Sequence, residues 1–287
     1  MEIDSVKSLR LGFIGAGKVG TSLGKYLKDR GFEISGYCSR TFSSAEEAAD
    51  FVGAKAYSGM AELAESSDAI FITVNDQNIK SVWDSLKSEA DLRGKIVCHC
   101  SGALSSGVFD ASEELGVKTG SFHMLTAVGD KFESFKLLKS SVFSAEGPAA
   151  DVLKKIAESA GNRVEIIDAD VKTKYHAAAV MASNLAVGLV GLAAQLLKEC
   201  GFSEESAYLA RIPWFMGNAE NMARLGIPEA LTGPVARGDF ETVRKHIECF
   251  GDGETDILAK EVYTSLTKEL LRLTGREFDL NNTGSDA

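Results

Sequence analysis

The first 167 residues alternate short apolar runs with amphipathic stretches. The runs at 11–14, 32–38, 54–57, 68–74, 95–99, 117–122, 141–144 and 163–167 read as strands. The segments 18–30, 45–52, 60–65, 79–90, 104–115 and 148–160 carry apolar residues at helical spacing. Strands alternating with helices build βαβ units, which predicts an α/β fold with a doubly wound, mainly parallel sheet. The strands are continuously apolar, as a sheet covered on both faces requires. After Ile167 the strand pattern stops, and 171–200, 204–225, 239–250 and 254–273 all read as helices. The shift predicts two domains, an α/β domain over 1–167 and an all-α domain over 168–287. No Pro/Gly/Ser linker separates them. The polar tail 281–287 is expected to fray.

The chain has 287 residues with 45% hydrophobic and 25% charged positions, which excludes a mainly disordered protein. Its 31 Lys and Arg against 41 Asp and Glu give a formal net charge of −10, which argues against nucleic acid and anionic membrane surfaces as partners. The five cysteines match no zinc spacing, so reduced thiols in a cytoplasm and no metal are expected. Within Cys98-His99-Cys100, strand geometry puts the two thiols on one side and the imidazole on the other, a poor start for a metal site. The apolar stretch 177–197 has the length of a membrane span. Its Ser183, Asn184 and Gln195 and its Ala and Gly content suit a helix buried at an interface instead.

Gly15-Ala16-Gly17-Lys18-Val19-Gly20 fits G-x-G-x-x-G, follows an apolar strand and opens a helix. In that context it reads as a dinucleotide-binding turn. Gly15 permits the turn, Gly17 leaves room for a pyrophosphate, and Gly20 lets helix and strand approach. The helix N-terminus offers free N–H groups to phosphate. The second strand ends in Gly36-Tyr37-Cys38-Ser39-Arg40, with no acid to hold a ribose 2′-hydroxyl. Arg40, flanked by Ser39 and Thr41, suits a 2′-phosphate, so NADP(H) is expected over NAD(H). Val74-Asn75-Asp76 and Ser101-Gly102 end two further strands. They would face the same crevice, beyond the carboxyl ends of the sheet.

Candidate chemistry sits at the start of the long helical pattern. On a wheel of about 100° per residue, Lys172, His176 and Ser183 fall within about 40° of one another, and Asn184 lies about 80° from His176. Alanines surround this stripe and leave room for a ligand. Lys172 or His176 could protonate a developing alkoxide, while Ser183 or Asn184 orients the substrate. The structural alternative is that His176 and Asn184 bond neighbouring helices and Lys172 lies in solvent. His123 ends a strand on the crevice side, to bind substrate or to fix the loop after it. Arg237 could bind a carboxylate, Asp239 reads as a helix N-cap, and His246 reads as structural.

Together, Gly15-x-Gly17-x-x-Gly20, Cys100-Ser101-Gly102-Ala103, Lys172-x-x-Tyr175-His176-x-Ala178-Ala179, Ser183-Asn184 and 231–239 (LTGPVARGD) resemble Rossmann-like proteins with a C-terminal domain of unknown function, DUF2520. These are similar to the wider 6-phosphogluconate dehydrogenase-like reductases, which include ketopantoate reductase, pyrroline-5-carboxylate reductase and F420-dependent NADP reductase. The resemblance spans residues 9–275. It implies an NADP-dependent oxidoreductase whose helical domain dimerises. Many such relatives place a catalytic Lys on the first long helix of the second domain, with Asn one turn later. Lys172 stands in that region, but Val, Met or Ala stands where the Asn would fall, and His123-Met124 replaces a frequent His-Pro. The leading expectation is an NADPH-dependent reductase of a small 2-oxo acid of the ketopantoate kind. The alternatives are an imine reductase of the pyrroline-carboxylate kind and an NADP-binding regulatory protein without turnover.

Overall fold

The computed structural model describes residues 6–280; the tail 281–287 and the first five residues lie outside it. Eight strands form one sheet: β1 (Arg10–Ile14), β2 (Glu33–Cys38), β3 (Lys55–Tyr57), β4 (Ala69–Ile72), β5 (Ile96–His99), β6 (Lys118–Met124), β7 (Phe143–Glu146) and β8 (Val164–Ile166). Their spatial order is β3-β2-β1-β4-β5-β6-β7-β8. Every neighbouring pair is parallel except β6 with β7, where His123 faces Ser144. Chain order reverses between β1 and β4, the switch point beyond which ligands of such sheets bind.

Alternate residues feed two cores. Phe13, Phe71 and Phe122 face one side with helices α1 (Lys18–Asp29), α2 (Phe42–Val52) and α5 (Ala150–Ser159). Ile14, Ile70 and Val97 face the other with α3 (Met60–Glu65) and α4 (Asp76–Glu89). On the first face the rings of Tyr37, Phe13, Phe71, Phe122 and Phe143 make a continuous row, with centroids 5.0–5.9 Å apart. Such a row suits strands that are buried on both faces.

The segment 104–115 is not the helix that its Leu and Val spacing predicts. It makes one short 3₁₀ turn, Ser106–Val108, followed by turns. Two features prevent a helix. Ser106 is drawn to the buried carboxylate of Glu146 on β7, donating through its N–H (2.8 Å) and its hydroxyl (2.6 Å). Ala111 adopts φ +58°, which a regular helix excludes.

The helices after β8 are α6 (Lys172–Ala182), α7 (Asn184–Glu199), α8 (Glu204–Leu225), α9 (Ile227–Ala230), α10 (Pro234–Arg237), α11 (Phe240–Glu248) and α12 (Glu254–Thr274). The single long helix expected from 171 to 200 is therefore two. Ser183 leaves helical geometry (φ −121°, ψ −83°) and separates α6 from α7. By compactness the chain divides at Met181/Ala182, inside the segment that the composition shift places wholly in the second part. The second unit has a small core of Val235, Val243, Ile247 and Leu271. Asp239 caps α11 by accepting from Thr242 N–H, as its position predicts. His246 pairs with the Tyr263 hydroxyl at 2.8 Å, in the structural role expected of it.

Candidate active site at the carboxyl end of the sheet

The turn after β1 has the shape a pyrophosphate needs. Gly15 sits at φ +112°, beside the Thr73 backbone. At Gly20 a methyl group would lie 2.3 Å from both Gly15 O and Thr73 Oγ1, so only glycine lets α1 approach this closely. A methyl group at Gly17 would meet nothing within 4 Å, which leaves open space over the α1 N-terminus. That terminus has no side-chain cap and no acid in its first turn. Lys18 is exposed beside it; Ala16 is buried and Val19 half-buried. The residues present thus fit a dinucleotide phosphate.

At the end of β2, Arg40 and Thr41 are exposed and Ser39 is half-exposed. Thr41 is the N-cap of α2, yet its hydroxyl makes no capping bond. Asn75 is likewise the unbonded N-cap of α4, after half-buried Val74. The next residue, Asp76, accepts from the Ser101 hydroxyl at 2.7 Å. Ser101 Oγ in turn accepts from Ala103 N–H and Leu104 N–H, which shapes a tight turn around Gly102.

Three imidazoles and one ammonium surround that turn. His99 is fully buried: its Nδ1 accepts from Ser101 N–H, and its Nε2 faces the Ser105 carbonyl oxygen at 3.2 Å. Burial pushes its pKa down to about 4. Lys172, the first residue of α6, is 1% exposed. Its Nζ donates to the Ser101 carbonyl oxygen (3.2 Å) and to Ser121 Oγ (2.7 Å). Burial lowers the Lys172 pKa, and the carboxylates of Glu146 and Asp76 oppose that shift. The solvent position weighed for Lys172 is thus excluded. His123 and His176 close the site above Gly102. A methyl group there would sit 2.5 Å from His176 Nδ1 and 2.9 Å from His123 Nε2. The two rings stand edge to face, with centroids 6.0 Å apart.

His123 Nδ1 contacts the Tyr175 hydroxyl at 2.8 Å, and Tyr175 in turn contacts Ser144 Oγ at 2.8 Å. Burial first, then repulsion from Lys172 and His176, pushes the His123 pKa down to about 4. The imidazole is therefore neutral at pH 7. His176 Nδ1 is buried and has no hydrogen-bond partner.

Gly102, His123, Lys172 and His176 are thus gathered in one unit. Ser183, Asn184 and Arg237 belong to the other. The helical stripe joining Ser183 and Asn184 to Lys172 fails because the helix breaks at Ser183; there Ser183 Oγ donates to Asn184 Oδ1 at 3.1 Å. Arg237 is exposed at the end of α10. The chain pattern alone did not single out Ser121, Ser144, Glu146, or Tyr175 as a partner of His123. Tyr175 had one usable signal, its place beside His176.

Residues 10–101 match the family described as NADP oxidoreductase, coenzyme F420-dependent, and residues 141–270 match DUF2520, a domain of unknown function. The chain is an NADP-dependent oxidoreductase that joins this oxidoreductase domain to DUF2520. Its cofactor is NADP(H), in keeping with the bare phosphate cradle at Gly17. No curated protein matches it. Among solved structures it is similar to protein TM1727 of Thermotoga maritima, with 28% identity, TM-score 0.71, and coverage of 92% of this oxidoreductase and 98% of that chain. BF3122 of Bacteroides fragilis, whose name classes it with NADP oxidoreductases, shows 23% identity, TM-score 0.67 and coverage of 93% and 99%. A pyrroline-5-carboxylate reductase of Coxiella burnetii shares the fold at 16% identity, TM-score 0.62, with coverage of 92% and 98%.

Proposed function

We propose that the protein reduces the carbonyl group of a small 2-oxo acid with NADPH. The observation that carries this reading is the convergence of His123 Nε2 and His176 Nδ1 over Gly102, with Lys172 beneath. Bound NADPH supplies the hydride. The chain's own residues must then hold the carbonyl oxygen, stabilise the negative charge that develops on it, and deliver a proton. Neutral His123 holds the oxygen through an N–H without giving up a proton. His176, half-exposed and with Nδ1 unpartnered, delivers the proton. Lys172 is enclosed by Ser101 and Ser121, so it acts as a fixed positive charge and an anchor for the turn. A cation beneath the reacting centre favours a developing alkoxide and disfavours a protonated imine. That electrostatic preference supports a ketone over a cyclic imine.

For the cofactor, Gly15 to Gly20 would cradle the pyrophosphate, and Ser39, Arg40 and Thr41 would hold the 2′-phosphate. Val74, Asn75, Asp76, Ser101 and Gly102 would line the nicotinamide side. Ser183, Asn184 and Arg237 are proposed as polar contacts for substrate. The unpaired cysteines fit a cytoplasmic location.

We also infer a homodimer through the helical unit. Ala169–Glu199 is long and apolar enough to cross a membrane by length and composition alone. Lys172 at its start is nevertheless buried against the sheet, and Ser183 interrupts it. Val187 (74% exposed), Leu209 (60%) and Trp214 (63%) leave apolar surface that a second copy would cover.

The test is NADPH oxidation, followed by absorbance, against a panel of 2-oxo acids and cyclic imines. Turnover of 2-oxo acids that is lost in His176→Ala supports the reading. Turnover of imines alone would replace it with the imine reductase. NADPH binding without any turnover would leave a regulatory binder.

A further inference from the structure

Tyr175 and Ser144 occupy positions that catalysis as described does not use. Ser144 on β7 faces His123 on β6 in the antiparallel register, so both side chains emerge on the same face of the sheet. Tyr175, one turn into α6, reaches both of them at 2.8 Å. The Tyr175 and His123 rings are edge to face, with centroids 5.7 Å apart. Ser144 is 1% exposed, so water cannot readily replace it.

Three groups in a row can share their protons in two directions. A phenol is a stronger acid than a neutral imidazole N–H, and an imidazole nitrogen is a better acceptor than a phenol oxygen. The stronger arrangement therefore runs from Ser144 O–H to Tyr175, and from Tyr175 O–H to His123 Nδ1. Accepting at Nδ1 leaves the His123 proton on Nε2. That is the nitrogen lying against Gly102 and facing the place where substrate would sit. The opposite tautomer would present a lone pair there and repel a carbonyl oxygen.

We infer that Tyr175, supported by Ser144, is a positioning residue that fixes His123 as the Nε2–H tautomer and so makes it a donor toward the substrate. Burial keeps the ring neutral, which makes the choice of tautomer matter: a doubly protonated imidazole would donate from both nitrogens. The inference rests on the reductase reading for its consequence in turnover, but not for the tautomer itself.

The experiment measures ¹⁵N imidazole NMR on the full chain without substrate, with His123 assigned from the signal lost in His123→Gln. In the wild-type protein, Nδ1 of His123 should resonate as an unprotonated nitrogen and Nε2 as a protonated one. Tyr175→Phe should give a mixture of tautomers, and Ser144→Ala a smaller shift in the same direction. With a turned-over substrate, Tyr175→Phe should lower kcat on the order of tenfold or more and leave the KM for NADPH within about twofold. A wild-type His123 protonated on Nδ1, or a tautomer unchanged in a folded Tyr175→Phe, would overturn the inference. Should Tyr175→Phe fail to fold, the wild-type spectrum and Ser144→Ala decide it. A wild-type spectrum as expected, with no 2-oxo acid reduced, would sink the reductase reading and leave the tautomer assignment standing.

Discussion

Lys172 Nζ donates to the carbonyl oxygen of Ser101 across 71 residues of chain, and so ties the start of α6 to the turn that carries Gly102. Its charge also bears on His123, as the second cause of that ring's low pKa. Lys172→Met keeps most of the volume and removes both effects. The Ser101 carbonyl loses a donor, at a cost of about 1–3 kcal/mol for a buried polar group left unpaired. The expected outcome is a lower unfolding midpoint, a His123 titration that moves upward from about 4, and loss of turnover. Thermal unfolding, NMR titration and kinetics check the three in turn.

Stability should fall as pH drops below neutrality. His99 and His123 are held neutral in the folded chain, each with its pKa pushed down to about 4 from 6.5. Between those values the unfolded chain binds protons that the folded chain refuses, so stability rises with pH across the window. It is complete above about 6.5 and is lost as pH falls toward about 4. Each ring contributes up to about 3 kcal/mol. Denaturant unfolding measured from pH 7 to pH 4.5 in wild type and His99→Asn would show it, with the shallower slope in the variant.

Gly102→Ala places a methyl group where both imidazoles already stand. His123 cannot retreat freely, because Tyr175 holds it. Turnover should fall on the order of a hundredfold or more, as for loss of an oxyanion donor. NADPH affinity, measured by fluorescence, should change far less.

Arg40→Ala should weaken NADPH binding by about tenfold to a hundredfold, since a charge-assisted hydrogen bond contributes about 1.5–3 kcal/mol. NADH affinity should stay the same. Calorimetric titration with both cofactors checks it; equal losses for the two would place the 2′-phosphate elsewhere.

Trp214→Glu should break the proposed dimer, because it puts a charge on the exposed apolar face of α8. Light scattering should then report about half the wild-type mass. A wild-type monomer would refute the dimer directly.

The sheet was legible because its strands are buried on both faces, and continuous apolar runs such as 69–72 have few other uses. The glycine turn was legible because its pattern is local: Gly15, Gly17 and Gly20 lie within six residues, and Gly20 packs against the carbonyl oxygen of Gly15. What escaped depends on partners far along the chain. The run 104–115 has helical spacing, but the pull on Ser106 comes from Glu146, 40 residues away. The helical wheel carried Ser183 and Asn184 onto the Lys172 face because nothing local announces the break at Ser183. Helical spacing puts Lys172 and His176 on one face, but the contacts with Ser101 and Ser121 that enclose the ammonium come from other elements of the chain. Ser144 lies in an ordinary strand sequence, and only the antiparallel pairing brings it opposite His123.

The position of Lys172 also governs where this chain can be cut. A fragment ending at Ile167 would lose the ammonium, the Tyr175 phenol and His176 together, and strand the Ser101 carbonyl, Ser121 and His123 beside an open gap. A fragment ending at Met181 would carry its own plug: the first turns of α6 serve the sheet as an outlying piece of its wall, although the sequence there already reads as the beginning of something else.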